Sequence, residues 1–364
     1  FVQLFFYWIF FARFAYHKPD SIAYPDEEGV SVILCVKNEA HCLKRHLRSF
    51  LEQNYSNYEV IVINNNSEDE TDSILKEYQN LYPHLNPIKI STHQVNVLEK
   101  KMSLAVGIKS AKHEIILIAD IDSEPKSPNW VREMAKHYLV ERYVVLGYAA
   151  YEQKNNILNT LIRYDNIHTA LRYFSFALSG YPYRGNAHNL SYPRSLFLSN
   201  YNYILLYNSQ VRDEDLFVNQ IVTKNNVAIE YHADTHVLSK QRHDTFKEWI
   251  EYKRLSNRKG KHYNSKSVFL LYLYHITGFV FYISLLLAVI VFYNNLSYIS
   301  LIIGLFLIRL ISQWIIFGKS IRKLDEKALK SKIPLMDVFF MLIMPLLEVD
   351  KYFYKKTKWK QIGN

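Results

Sequence analysis

Hydrophobic positions fall into two regimes along the 364-residue chain. From Val30 to about Lys261 they form short runs separated by stretches at helical spacing. From Val268 onward they form long blocks. Short apolar runs of about four to eight residues predict buried strands. Val30–Val36 (VSVILCV), Tyr58–Ile63, Ile88–Ser91, Ile115–Ala119 and Tyr143–Ala149 fit that description. Between them Leu43, Leu47, Phe50 and Leu51 recur at helical spacing, and further helices are predicted at Thr71–Asn80, from Lys100 to about Ser110, and from Pro125 through Trp130 to about Glu141. Strand and helix alternate, which predicts an α/β fold with a doubly wound, mostly parallel sheet.

Past Ala149 the rhythm changes. Ile157–Leu178 predicts one long amphipathic helix, Tyr181–Arg194 (YPYRGNAHNLSYPR) reads as irregular, and Asp213-Glu214-Asp215 opens a helix whose apolar positions are Leu216, Phe217, Ile221 and Val222. Thr245–Lys259 reads as a basic amphipathic helix with Trp249, Arg254 and Arg258. Val268–Tyr293 and Leu296–Phe317 are each long enough to span a bilayer, and the Asn294-Asn295 break permits only a tight hairpin. His275 and Arg309 lie inside these spans, as functional groups or as packing and snorkelling residues. Ile333–Val349 is apolar but carries Pro334, Asp337, Pro345 and Glu348, which predicts an interfacial helix over 333–350 followed by a basic tail. The chain opens on Phe1 rather than Met, and residues 1–18 read as the end of a cut membrane helix or as an interfacial anchor.

Composition sharpens this picture. The formal net charge is +10, and the basic residues cluster beside apolar segments, among them Lys319, Arg322, Lys323, Lys327, Lys330 and Lys332. Without a nucleic-acid motif, that distribution favours membrane lipids and phosphorylated ligands as partners, with no nucleic acid. By the positive-inside rule both flanks of the hairpin, and the domain before it, are cytoplasmic. The two cysteines, Cys35 and Cys42, have no metal-ligand spacing and suggest no disulfide framework, which suits a reducing compartment.

Candidate chemistry centres on Ile115–Glu124 (IILIADIDSE), where a buried strand runs into Asp120 and Asp122. Ligands in open α/β sheets bind outside the carboxyl ends of strands. Two close carboxylates repel unless a cation lies with them. Hard oxygen ligands suit Mg²⁺ or Mn²⁺ bound together with substrate phosphates. The bland alternative is a solvated acidic turn. Asp213, Glu214 and Asp215 have a bland alternative too, as acids favoured by a helix N-terminus.

Taken in order, these motifs resemble the family 2 glycosyltransferases, inverting enzymes of the GT-A fold, and more narrowly the membrane-anchored bacterial members. The resemblance covers about Val30–Lys261 and implies a catalytic domain over 30–262, with the hairpin at 268–317. It places Asn38 and Glu39 after the first strand as nucleotide-binding residues. Where the family commonly has Asp-Asp-Gly-Ser touching the base, this chain has Asn64, Asn65, Asn66 and Ser67. Lys100 through Gly107 keep the lysine, the leucine and the glycine of a lysine-to-glycine motif, which implies that Lys100 or Lys101 pairs with donor phosphate. Asp120-Ile121-Asp122 matches the D-x-D motif, with Asp122 and Asp120 as metal ligands. Gly185 and His188-Asn189-Leu190-Ser191-Tyr192 resemble the donor-sugar and acceptor pocket, with His188 in its wall. Asp213-Glu214-Asp215-Leu216 resembles the Glu-Asp motif, which makes Asp215 the catalytic base and Asp213 and Glu214 its neighbours.

The Gln-x-x-Arg-Trp motif of processive members falls on Tyr252–Ser256, where its Gln, Arg and Trp are replaced. The resemblance therefore implies an inverting, hexosyltransferase-type enzyme at the cell (inner) membrane. It would move one sugar from a nucleotide diphosphate sugar to a lipid-linked or glycan acceptor, with Mg²⁺ or Mn²⁺. A catalytically silent nucleotide-sugar-binding subunit, a processive polysaccharide synthase and a nucleotidyltransferase stand as alternatives.

Overall fold

The computed structural model describes residues 1–19, 28–90, 97–140, 144–200, 214–258 and 263–353, and within them the side chains except at 97–101, 139–140, 214–216, 257–258 and 348–353. The chain divides into two compact units.

The first, Pro19–Glu152 with Arg184–Arg242, is α/β. Its strands are β1 (Val30–Val36), β2 (Tyr58–Asn65), β3 (Leu85–Ile90), β4 (Ile115–Ile118), β5 (Ser123–Pro125), β6 (Val144–Leu146), β7 (Ala149–Tyr151), β8 (Leu190–Pro193), β9 (Val227–Ile229) and β10 (Val237–Ser239). Seven form one sheet in the order β3-β2-β1-β4-β8-β6-β9, and β5-β10-β7 form a second. In the large sheet β8 alone runs antiparallel to its neighbours, the other pairings being parallel. The sheet is thus mostly parallel, as the alternation predicts, but β8 lies inside the stretch read as irregular. Its four residues are all buried, yet polar and glycine neighbours hide so short a run in the sequence. The expected single strand at Tyr143–Ala149 divides at Gly147, so that β6 joins the large sheet and β7 the small one.

Both faces of the sheet are covered, which explains the continuous apolar strands. On one face Val30, Val32, Leu34, Val60 and Val62 pack with Leu43, Leu47, Phe50 and Leu51 of helix Ala40–Leu51. On the other, helix Val97–Ser110 crosses at Gly107, where a Cβ would lie 2.7 Å from Ile33 Cγ2 and 3.2 Å from Ile63 Cγ1. The glycine of the lysine-to-glycine motif therefore has a packing reason. It lets the helix that carries Lys100 ride directly on β1 and β2.

The second unit, Phe1–Lys18, Gln153–Tyr183 and His243–Lys358, is helical in its described residues. Helices Ser265–Phe292 and Leu296–Lys323 are long and apolar enough to cross a membrane. Arg309, in the middle of the latter, is 2% exposed and pairs at 2.6 Å with Asp337 of helix Ile333–Phe353, which also accepts hydrogen bonds from Tyr282 and Gln313. Buried charges need such partners, so Arg309 is a packing residue here. Asp337, which argued for an interfacial helix, is its counter-ion. In helix Phe246–Arg258, Trp249 packs on Phe339 and Phe340 and Lys253 pairs with Asp165 of helix Ile157–Leu178 at 2.9 Å. The basic face expected there is thus partly internal to the unit.

Candidate active site

β1, β2 and β4 run parallel and in register, so the residues that follow them emerge at one edge of the sheet. After β1, Asn38 adopts a left-handed conformation (φ 54°), and after β2 so does Asn66 (φ 47°), which asparagine tolerates better than most residues. The two loops are tied together. The Asn38 amide donates to Ser67 Oγ at 2.9 Å, the Glu68 amide donates to Asn38 Oδ1 at 2.8 Å, and the Ala40 amide donates to Asp69 Oδ2 at 3.0 Å. Glu39 stands half-buried between them. Asn64 is 1% exposed and turned inward. Its Oδ1 accepts from the Ser67 amide and its Nδ2 donates to Asp72. Its neighbour Asn65 necessarily points to the opposite face of the strand.

β4 stops at Ile118, and the Ser123 amide and hydroxyl both donate to the Asp120 carbonyl, at 3.1 and 2.6 Å. This turn holds Asp120 and Asp122 at the sheet edge, Asp120 at 6% exposure and Asp122 half-buried. Antiparallel pairing of β8 with β4 sets Leu190 opposite Ile118. Two residues after Ile118 and two before Leu190, Asp120 therefore meets His188. Its Nδ1 lies 3.4 Å from Asp120 Oδ2 and 3.8 Å from Asp122 Oδ1. Pairing of β10 with β5 sets Ser239 opposite Ser123 and returns the chain to the same place. Arg242 Nε donates to Asp122 Oδ2 at 2.7 Å, and its Nη2 lies 2.5 Å from that oxygen and 3.3 Å from Asp120 Oδ2.

Asp120, Asp122 and His188 each offer a ligand atom, all within 4.8 Å of one another. Asp122 Oδ1 is buried without a hydrogen-bond partner among the described residues. Two carboxylates and an imidazole suit a divalent cation, the carboxylates Mg²⁺ or Mn²⁺ and the imidazole the transition metal. The residues present therefore fit the group that the D-x-D motif implies.

Behind this cluster Asn189 is fully buried. Its Nδ2 donates to the Tyr148 and Thr235 carbonyls at 2.9 and 2.7 Å, and its Oδ1 accepts from Trp130 Nε1 at 3.0 Å. A Cβ at Gly147 would sit 2.4 Å from Asn189 Cγ, so glycine there gives the amide its room. Asn189 lies in the scaffold under the pocket rather than in its wall. Glu230 anchors the loop that carries Thr235, with its carboxylate 2.8 Å from His137 Nε2 and 2.9 Å from Lys136 Nζ. Burial opposes its charge, but those two partners hold its pKa down at about 2. Asn189→Leu takes the amide partner from the Thr235 carbonyl and Trp130 Nε1, at about 1–3 kcal/mol each, and leaves the Tyr148 carbonyl to the Val237 amide alone. The expected outcome is a loss of several kcal/mol in chemical denaturation, with His188 displaced.

Gly185 is buried between Leu190 and Val218, where a Cβ would lie 3.1 Å from both side chains, and so seats helix Glu214–Ile221. Glu214 and Asp215 occupy the first turn of that helix, and Lys100 and Lys101 lie in helix Val97–Ser110. The side chains of these four, and the whole of Asp213, lie outside the described residues. The structure thus brings together Asp120, Asp122, His188 and Arg242. Arg242 escapes the sequence reading because it follows a three-residue strand and matches no family motif. The contact of His188 with the acids was also unforeseen, since it depends on the register of β8.

The sequence profile described as Glycosyl transferase family 2 matches residues 31–199, a span that holds Asp120, Asp122, His188 and Asn189. Residues 31–199 match a family 2 glycosyltransferase domain.

This glycosyltransferase domain has relatives of known name. The chain is 28% identical over 149 residues to a poly-β-1,6-N-acetyl-D-glucosamine synthase of Staphylococcus epidermidis, covering 38% of this chain and 34% of the relative. It is 30% identical over 109 residues to an uncharacterized glycosyltransferase of Haemophilus influenzae, covering 30% and 32%. The matched part thus spans about a third of each relative, 34% and 32%. Among solved structures, a mannosyltransferase of Pyrobaculum calidifontis, determined with GDP-Man and Mn²⁺, superposes with a TM-score of 0.57 over 94% of this chain and 95% of its own, at 15% identity. That likeness establishes the fold, which is GT-A.

Proposed function

We propose that the chain transfers one sugar from a nucleotide diphosphate sugar to an acceptor hydroxyl, with inversion and with the help of a divalent cation. The observation that carries this reading is the joining of Asp120, Asp122 and His188 at the sheet edge of a family 2 domain.

Asp122 and Asp120 would hold the cation and His188 would complete the set, which favours Mn²⁺ over Mg²⁺. Bound there, the cation supplies Lewis acidity to the departing diphosphate. Lys100 or Lys101 contributes a fixed positive charge to the same leaving group. The base contact is assigned to Asn65, Asn38 and Glu39, while the Asn64 amide is held by the Ser67 amide and by Asp72. Gly185 keeps helix Glu214–Ile221 against β8, and Asp215 in its first turn takes the acceptor proton as the hydroxyl attacks the anomeric carbon.

The chain anchors itself through helices Ser265–Phe292 and Leu296–Lys323. Their outward residues Leu286, Leu287, Ile290, Leu301, Leu305 and Ile308 are each more than half exposed, a surface suited to lipid. With basic residues after the second helix, the catalytic domain faces the cytoplasm at the inner membrane, and the acceptor is a lipid-linked or other glycan. Loss of the Gln-x-x-Arg-Trp residues at Tyr252–Ser256 favours single transfers over processive synthesis.

The test is turnover of a panel of nucleotide sugars by the detergent-solubilised chain, with and without Mn²⁺. Cation-dependent release of a nucleoside diphosphate from one donor is expected. Pyrophosphate release would identify a nucleotidyltransferase instead, and donor binding without release in the presence of acceptor glycans would identify a silent subunit. Products extended by many sugars would identify a processive synthase.

A further inference from the structure

Arg242 occupies a position that the proposed reaction does not yet use. Its guanidinium spans both D-x-D carboxylates through their Oδ2 atoms. Among the described residues Asp122 Oδ1 is left buried and without a hydrogen-bond partner, 3.8 Å from His188 Nδ1. The Arg242 side chain is 41% exposed, against 9% and 15% for Asp120 and Asp122, so it caps the acids on their solvent side. Its place is set by the pairing of β10 with β5, the strand that directly follows Asp122.

The charges make this arrangement conditional. Two carboxylates with one guanidinium sum to one negative charge. A divalent cation on the same carboxylates leaves positive charge in excess, and like charges at this range repel. A diphosphate returns the sum to negative, and the planar fork of arginine matches phosphate oxygens as well as it matches carboxylate.

We propose that Arg242 competes with the cation for Asp120 and Asp122 and passes to the diphosphate when the donor arrives. Cation alone then binds weakly, because it must displace the guanidinium. Cation and diphosphate together bind strongly, because Arg242 gains a new partner. Such coupling is reciprocal between the two ligands. The inference rests on the cation site proposed above.

The experiment uses the full chain in detergent, Mn²⁺ as the cation and inorganic pyrophosphate as a diphosphate that carries no base. Free Mn²⁺ is read by electron paramagnetic resonance. Arg242→Gln is expected to bind Mn²⁺ alone about 10-fold more tightly than the parent, and to lose most of the tightening that pyrophosphate gives the parent, also about 10-fold. A variant that binds Mn²⁺ no more tightly than the parent, or keeps the full pyrophosphate effect, overturns the role of Arg242 and leaves the cation site standing. Absence of Mn²⁺ binding in both proteins, or binding that survives Asp122→Ala, overturns the cation site itself.

Discussion

Asp215→Asn is expected to lower sugar transfer by about 10²–10⁴-fold, the usual contribution of a positioned general base. Binding of Mn²⁺ and nucleoside diphosphate should stay close to that of the parent. The substitution separates the two readings of this residue because asparagine stabilises a helix N-terminus nearly as well as aspartate does. If Asp215 served only the helix, the variant would fold and transfer sugar like the parent. As the base, it would fold and bind but fail to take the acceptor proton. Helix Glu214–Ile221 is seated independently by the contact of Val218 with Gly185, so its packing does not depend on the carboxylate. Initial rates at saturating donor, beside calorimetric titration of nucleoside diphosphate, measure both halves of this expectation.

Asp122→Ala should act earlier in the reaction. Asp122 offers the buried Oδ1 that no described residue satisfies and half of the negative charge of the site. Its removal is expected to abolish detectable Mn²⁺ binding and to lower turnover by at least about 10²–10³-fold, the scale for losing one preorganised electrostatic contact. The fold should persist. Asp120 retains Arg242 at 3.3 Å and His188 at 3.4 Å, and the like-charge repulsion between the two acids is relieved. An unfolding midpoint near the parent's, combined with lost Mn²⁺ binding, would place the effect in the site. Because Asp215 is untouched, the two variants should differ clearly, one losing ligand binding and the other only the chemical step.

The strands that present the site were legible because a buried parallel strand needs a continuous apolar run, and Val30–Val36 and Ile115–Ile118 have one. Asp120 and Asp122 were legible for a related reason. A carboxylate pair directly after such a run has little structural use at a strand end. What the sequence hid was non-local. His188 meets Asp120 only through the antiparallel register of β8 with β4, and β8 is too short to show a period. Arg242 reaches both acids through the pairing of β10 and β5, three residues each. Asn64 and Asn65 looked equivalent in the chain. Strand alternation turns the first into the loop scaffold, a distinction that depends on which face the adjoining helix covers. Arg309 and Asp337 likewise drew separate readings, one as an intramembrane charge and the other as a sign of an interfacial helix, and they prove to be one ion pair.

The central claim is that Asp120, Asp122 and His188 form the cation–diphosphate site. The most direct measurement is diffraction at the manganese absorption edge from crystals of the chain grown with Mn²⁺ and a nucleoside diphosphate. An anomalous peak bonded to Asp122 and His188 and to the diphosphate oxygens is the expected result. A peak at any other group of residues, or bound diphosphate with no manganese beside these acids, would contradict it.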